Sequence, residues 1–220
     1  MRKLILILSV ILPQGFKQWV YRHLLKWQIG KRVQIGFSYI DARQVTLEDD
    51  VRIGHFNIIR GLKCFSVGEG TYIANFNQMF GASYSGWASE LSIGKHVNFM
   101  SRHFIDVGGI VIIGNHAVIG GRDTHFWSHT RALVDGKPSL EPTAVRVGDE
   151  VYVGARATLV SCDIPNGAVV GAGSVVTKSF PPETQRLLIA GNPATIKKRY
   201  DAAPAEPGIN AANEDRAERR

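Results

Sequence analysis

The apolar positions between residues 33 and 178 follow neither a helical stripe nor one long alternating strand. An aliphatic residue followed by Gly or Ala recurs at Ile35-Gly36, Ile53-Gly54, Val67-Gly68, Ile73-Ala74, Ile93-Gly94, Ile113-Gly114, Ile119-Gly120, Val147-Gly148, Val153-Gly154 and Val170-Gly171. The gaps from 67 to 73, 113 to 119 and 147 to 153 are six residues, and the gap from 35 to 53 is 18. Those from 73 to 93 and from 93 to 113 are 20, read as 18 plus a two-residue insertion. A period of six grouped in threes predicts an all-β solenoid, a parallel β-helix with three short strands per coil. One coil cannot bury its own inner face, so the aliphatic residue points inward and stacks on its equivalents above and below. The next residue sits at a corner, where a side chain crowds the bend or meets positive φ, and Gly or Ala is favoured.

The pattern changes at both ends. Residues 1–32 form a separate arm. Leu4 to Leu12 is a nine-residue apolar run, too short for a membrane-spanning helix. Residues 16–28 place Phe16, Trp19, Val20, His23, Leu24 and Trp27 at helical spacing, flanked by Lys17, Arg22 and Lys26. This amphipathic helix reads as a cap on the open end of the solenoid, as a contact with an anionic membrane surface, or as both. A cleaved signal is a third reading, although no small-x-small site follows the run. Residues 200–220 are rich in Ala, Pro, Glu and Arg, and read as a disordered tail without a site.

Charge sharpens the division. The chain holds 26 basic and 19 acidic residues. Seven of the basic residues, and no acidic one, lie in residues 1–32, so the solenoid itself is neutral. That distribution argues against nucleic acid as a partner. Two cysteines, Cys64 and Cys162, are too few for a disulfide framework and fit a reducing compartment, the cytoplasm.

The clean hexads stop at Ile119 and resume at Val147, with an insertion over 126–146. A long excursion from one corner of a solenoid is where a site is expected. The stretch just before and within it carries His125, Trp127 and His129. His125 falls six residues after Ile119, on the inward phase. An imidazole titrates close to neutral pH and suits removal of a proton from a hydroxyl. No G-x-S-x-G or other nucleophile motif is present.

These hexads resemble the [LIV]-[GA]-x-x-[STAV]-x repeats of the hexapeptide-repeat acyltransferases, and the layout is similar to the colanic-acid-type sugar O-acetyltransferases. The resemblance implies a left-handed β-helix over 33–199 with a short C-terminal helical segment, and homotrimers with sites between subunits. "IGGRDTHFWSHT" resembles the family's approach to its catalytic histidine, which puts His129 in that role and leaves His125 as competitor. His103, Asp106 and Asn98 are candidates to orient it, with a plain corner hydrogen bond as the other reading of Asp106. "IPNGAVVGAGSVVTK" and "AGNPATIKKR" resemble the family's last coil and the segment after it, where coenzyme A binds. Carried over, Tyr152 and Ala155 line the pantetheine arm, Ala172 offers backbone hydrogen bonds, and Thr177, Lys178 and Lys198 sit near the phosphates. Lys197, Lys198 and Arg199 read otherwise as a solvated helix face.

The resemblance implies acetyl transfer from acetyl-CoA to a hydroxyl of a sugar or glycan intermediate in surface-polysaccharide assembly, with no metal. The amphipathic arm would hold the enzyme at the inner face of the cytoplasmic membrane. Two other functions stay open on sequence: a zinc-dependent, carbonic-anhydrase-like enzyme using some of His96, His103, His116, His125 and His129, and a non-catalytic binding solenoid.

Overall fold

The structure, a computed structural model, describes residues 2–82, 86–134, 136–183 and 186–201. Most of the tail, 202–220, lies outside the described residues.

Each coil gives one short rung to each of three faces, all paired in parallel. On the first face Ile35, Ile53, Ile73, Phe99, Ile119, Val153, Val170 and Ile189 stack coil upon coil. On the second the stack is Ile40, Ile59, Met79, Ile105, Phe126, Leu159 and Val176. On the third it is Leu47, Val67, Ile93, Ile113, Val147 and Ile164. Every one of these side chains is at most 3% exposed. Burying a side chain of this size contributes about 1.5–3 kcal/mol, and these stacks are the core.

The aliphatic-Gly pairs thus mark the first and third faces. The second-face stack went unseen, because its rungs end in polar or larger corner residues. Ile73 and Ile93 also belong to different faces, so the 20-residue gap between them is not a coil. The true coil from Ile73 leads to Phe99. Its extra length falls between the strands Gln78–Gly81 and Glu90–Ile93.

Two helices, α1 (Arg2–Ser9) and α2 (Gln14–His23), replace the single helix expected over 16–28. Leu6, Val20, Tyr21 and Trp27 join the core, so the arm caps the first coils. Lys17 is not a flanking surface charge. It is buried, and its Nζ donates to the carbonyls of Val10, Ile35 and Gly36.

The expected C-terminal helical segment is a β-hairpin, Arg186–Gly191 against Ala194–Tyr200. Leu187 and Ile189 alternate inward, and Leu188 pairs with Val169, so the first strand is one more rung of the first face. Asn192 and Pro193 form the turn. Lys197, Lys198 and Arg199 therefore lie on a strand, with the period-2 geometry of a sheet edge. The insertion is narrower than 126–146. His125–Trp127 and Ala144–Val147 are rungs, and an antiparallel hairpin of His129–Val134 with Lys137–Pro142 projects between them.

Candidate active site

Three consecutive coils build a site at the corner between the second and third faces. The middle coil turns tightly on Gly108-Gly109, while the coils on either side send out extra chain there. From one side comes Trp87, and from the other the hairpin that starts at His129. The glycines are sterically required. A Cβ on Gly108 would stand 2.7 Å from the Trp87 ring, and one on Gly109 would stand 1.9 Å from the Thr143 carbonyl. Buried Ser128 fixes the hairpin's root. Its hydroxyl donates to the Asp106 carbonyl at 2.8 Å and accepts the Gly109 N–H at 3.0 Å.

This root brings His129 onto Asp106. The imidazole Nδ1 lies 2.7 Å from Asp106 Oδ1, with both side chains about three-quarters covered. The same carboxylate oxygen accepts the Gly108 N–H at 3.1 Å. A carboxylate can only accept, so Nδ1 is the donor, and in the neutral imidazole that leaves the lone pair on Nε2. Trp87 and Trp127 flank the imidazole, with ring centroids 5.9 and 6.0 Å away. The arrangement holds one tautomer in one orientation, which is what a general base requires.

His125 is not on the inward phase. The coil after Ile119 carries one residue more than its neighbours, so Phe126 takes the buried position and His125 is exposed. It stands on the outer side of the second face, with its ring centroid 6.0 Å from that of Phe104. His103 faces inward and is 1% exposed. Its Nδ1 accepts the Thr124 N–H, and burial pulls its pKa down to about 4, partly offset by the Ile119 backbone and Asp123. Asn98 lies on the first face, away from His129. Of the three orienting candidates, Asp106 alone meets His129.

The residues proposed for coenzyme A divide into two groups. Tyr152, Ala155 and Ala172 share the corner between the first and second faces. The Tyr152 hydroxyl lies over Gly120, 2.8 Å from where a Cβ would be, and the Ala155 carbonyl accepts the Gly173 N–H at 2.9 Å. Along this corner, a side chain of each early coil caps an N–H of the coil before it. His55 accepts from the Phe37 N–H, Asn75 from His55, and Ser101 from Asn75. The next coils offer Gly121, Ala155 and Ala172, none of which can accept through a side chain. Among the described residues, the N–H groups of Ser101, Gly121, Ala155 and Ala172 consequently have no hydrogen-bond partner. Four free donors thus stand in a row along the solenoid axis. The second group is scattered. Thr177 and Lys178 are exposed just past the last rung of the second face, and Lys198 lies on the outer strand of the C-terminal hairpin.

The chain is similar to known proteins in fold and in sequence. The fold resembles that of the polySia-specific acetyltransferase NeuO, with a TM-score of 0.51 at 18% identity over 88% of this chain and 91% of that one. The chain is 29% identical over 128 residues to "Putative lipopolysaccharide biosynthesis O-acetyl transferase WbbJ" of Escherichia coli K12, covering 56% of this chain and 64% of that protein. It is 26% identical over 193 residues to the bifunctional protein GlmU of Azoarcus sp. BH72, covering 77% of this chain and 42% of GlmU. The chain therefore spans less than two thirds of the length of either relative. Residues 144–178 match the family model described as the hexapeptide repeat of succinyl-transferase. The chain carries a hexapeptide repeat similar to that of the acyltransferases.

In this hexapeptide-repeat protein the matched stretch contains Tyr152, Ala155, Ala172, Thr177 and Lys178, whereas His129 and Asp106 lie before it. Sequence reasoning missed Trp87, Ser128 and the Gly108-Gly109 corner. The Gly pair between two interrupted coils was the available signal. His96 and His116 stack on each other at the corner between the third and first faces, away from His129. Among the described residues, no group of three His, Cys, Asp or Glu side chains is placed to hold a metal. Burial pushes the Cys162 thiol up to about 12, and Cys162 packs as a small apolar residue. A groove of about 680 Å³ between the arm and the first coils is lined by Pro13, Lys17, Arg52, His55 and Tyr72, and none of the candidate site residues borders it.

Proposed function

We propose that the chain is an acetyl-CoA-dependent O-acetyltransferase on a left-handed β-helix, acting on a hydroxyl of a sugar or glycan intermediate in surface-polysaccharide assembly. The observation that carries this reading is the 2.7 Å bond between His129 Nδ1 and Asp106 Oδ1. His129 Nε2 takes the proton from the acceptor hydroxyl as its oxygen attacks the thioester carbonyl carbon. The oxyanion of the tetrahedral intermediate is held by backbone N–H donors. Collapse breaks the C–S bond, and the imidazolium returns its proton to the departing thiolate. The products are an acetyl ester and coenzyme A, and no acyl-enzyme forms.

The row of free N–H groups at Ser101, Gly121, Ala155 and Ala172 supports coenzyme A as donor. The pantetheine arm carries amide carbonyls that need such donors, and small residues let it approach the backbone. Lys178 and Lys198 supply charge for the phosphates. The row and His129 occupy opposite edges of the second face, about 15 Å apart at roughly 3.3 Å per residue. That separation supports a site completed between neighbouring subunits of a trimer, His129 of one facing the amide row of the next.

The arm is read as a contact with an anionic membrane surface at the cytoplasmic side. Leu4, Ile7, Leu8 and Ile11 on and just after α1 are more than half exposed, as is Phe16 on α2. Lys3, Lys26 and Lys31 lie outside the ion pairs of the arm, which has no acidic residue. Co-sedimentation with phosphatidylglycerol vesicles, but not with phosphatidylcholine vesicles, is expected. Binding to neither kind of vesicle would sink the membrane contact.

The activity is tested by thiol release from acetyl-CoA with a panel of sugars. Release that depends on a sugar hydroxyl is expected. Failure with every acceptor, together with no coenzyme A binding at millimolar ligand, would favour a non-catalytic solenoid.

A further inference from the structure

Lys17 holds a buried charge for which the proposed chemistry has no role. It is 2% exposed, and its Nζ donates to the carbonyls of Val10, Ile35 and Gly36 at 3.0, 3.1 and 2.9 Å. Three acceptors use all three protons of an ammonium group, so the charge is held by carbonyl dipoles alone. Burial lowers its pKa from the usual lysine value, and no nearby acid offsets that. A buried cation without a counter-ion is costly. Lys17 lines the groove of about 680 Å³ between the arm and the first coils, together with Arg52, His55 and Phe37, and no Asp or Glu lines it. Arg52 lies over the Tyr72 ring and, among the described residues, joins no ion pair. Asp50, next to Arg52 at the edge of the groove, is taken by Arg32 through bonds of 2.6 and 2.5 Å. His55 Nδ1 accepts the Phe37 N–H, so the neutral ring keeps its proton on Nε2, which can donate. Gln14, also lining the groove, has its side-chain oxygen buried without a donor.

We infer that this groove seats the phosphoglycerol headgroup of an anionic membrane lipid, with the acyl chains leaving along the apolar stripe of the arm. The inference rests on the membrane contact read for the arm and deepens it. Leu4, Ile7, Leu8 and Ile11 follow helical spacing, are more than half exposed, and Ile11 lines the groove. Phe37, half exposed, lies along the same groove, its ring centroid 5.8 Å from Lys17 Nζ and 5.2 Å from that of His55. A cationic floor beside an exposed apolar stripe matches a molecule with an anionic head and apolar tails, whereas a soluble anion would leave the stripe uncovered. The Arg52 guanidinium offers a phosphate a planar pair of donors. A hydroxyl of the glycerol would supply the donor that Gln14 lacks. Gln34, Arg52 and Tyr72 are outward positions of the first face, so the groove opens away from the second face, which the between-subunit site turns toward neighbouring copies.

The test uses short-chain lipids that stay monomeric in solution. Equilibrium binding to the full chain is measured for dihexanoylphosphatidylglycerol, dihexanoylphosphatidylcholine, glycerol 3-phosphate and inorganic phosphate. Dihexanoylphosphatidylglycerol is expected to bind at least tenfold more tightly than the other three. Arg52→Gln should weaken that binding about tenfold, and Phe37→Ala about fivefold. Arg43→Gln, which removes an exposed arginine at the corner between the second and third faces, should change it less than twofold. Equal affinity for glycerol 3-phosphate would assign the groove to a soluble phosphate and overturn the lipid. Equal affinity for dihexanoylphosphatidylcholine, no binding at millimolar lipid, or full affinity in Arg52→Gln would overturn it as well. None of these measurements depends on acetyl transfer. Failure of the wild type to co-sediment with phosphatidylglycerol vesicles would defeat the membrane contact of the arm, while the short-chain lipids still decide the groove.

Discussion

Two corners of the same coils treat their backbone in opposite ways. At the corner between the third and first faces, capping continues to the last coils: Asn115 accepts from the Lys95 N–H, Asp149 from Asn115, and Asn166 from Asp149. At the corner between the first and second faces, capping stops at Ser101, and the next coils present only Gly121, Ala155 and Ala172. The repeat would tolerate a cap at both. An uncapped, accessible N–H forgoes about 0.5–1.5 kcal/mol of intramolecular hydrogen bonding, which the proposed coenzyme A contacts would restore. An inner ladder ends at the same coil: Asn57 accepts from the Asn77 N–H, Asn77 from His103, and His103 from Thr124, after which Ala157 takes the position.

On the proposed reading, chemistry and cofactor grip sit on different edges of the second face, and the comparison is sharpest where variants separate them. His129→Ala should lower turnover roughly 100- to 10,000-fold, the scale of a positioned acid–base group, while leaving coenzyme A binding unchanged in titration. Weakened coenzyme A binding in that variant would break the division.

The end of the inner ladder gives a pH signature. His103 titrates at about 4 in the fold because burial disfavours its charged form. A depressed folded pKa means that the unfolded chain binds the extra proton first. Stability from this group is complete above about pH 6.5 and is lost as pH falls toward 4. The loss amounts to about 3 kcal/mol. Denaturant unfolding at pH 7 and pH 4 should show that difference. His103→Asn, which restores the acceptor used at Asn57 and Asn77, should flatten it.

Restoring the missing cap tests the outer row. Ala172→Asn places an acceptor beside the Ala155 N–H, as Asn75 does for His55, and should raise the KM for acetyl-CoA about tenfold. The reverse change is smaller. Asn75→Ala frees the His55 N–H, and should cost about 1 kcal/mol of stability without altering the KM for acetyl-CoA.

The three-stranded coil, the inward aliphatic stacks of two faces and the excursion before Val147 were legible because hydrophobic period and corner glycine are local signals. The second face was not, since Ile40, Ile59 and Met79 are followed by no small corner residue. One added residue after Ile119 was enough to put His125 outside and Phe126 inside, and a spacing rule counted from Ile119 cannot register that slip. Trp87 reached the site from a connection two coils before His129, a contact set by stacking rather than by sequence distance. The C-terminal hairpin was misread because Lys197 to Arg199 suits a helix surface as well as a strand edge, and only the inward alternation of Leu187 and Ile189 decides between them.

The contrast between the two corners is tested most directly by amide chemical shifts during titration with coenzyme A. The resonances of Gly121, Ala155 and Ala172 should move on saturation, and those of the capped amides of His55, Lys95, Asn115 and Asp149 should stay in place. Shifts confined to the capped corner, or no shift in the uncapped row at saturating ligand, would contradict the account.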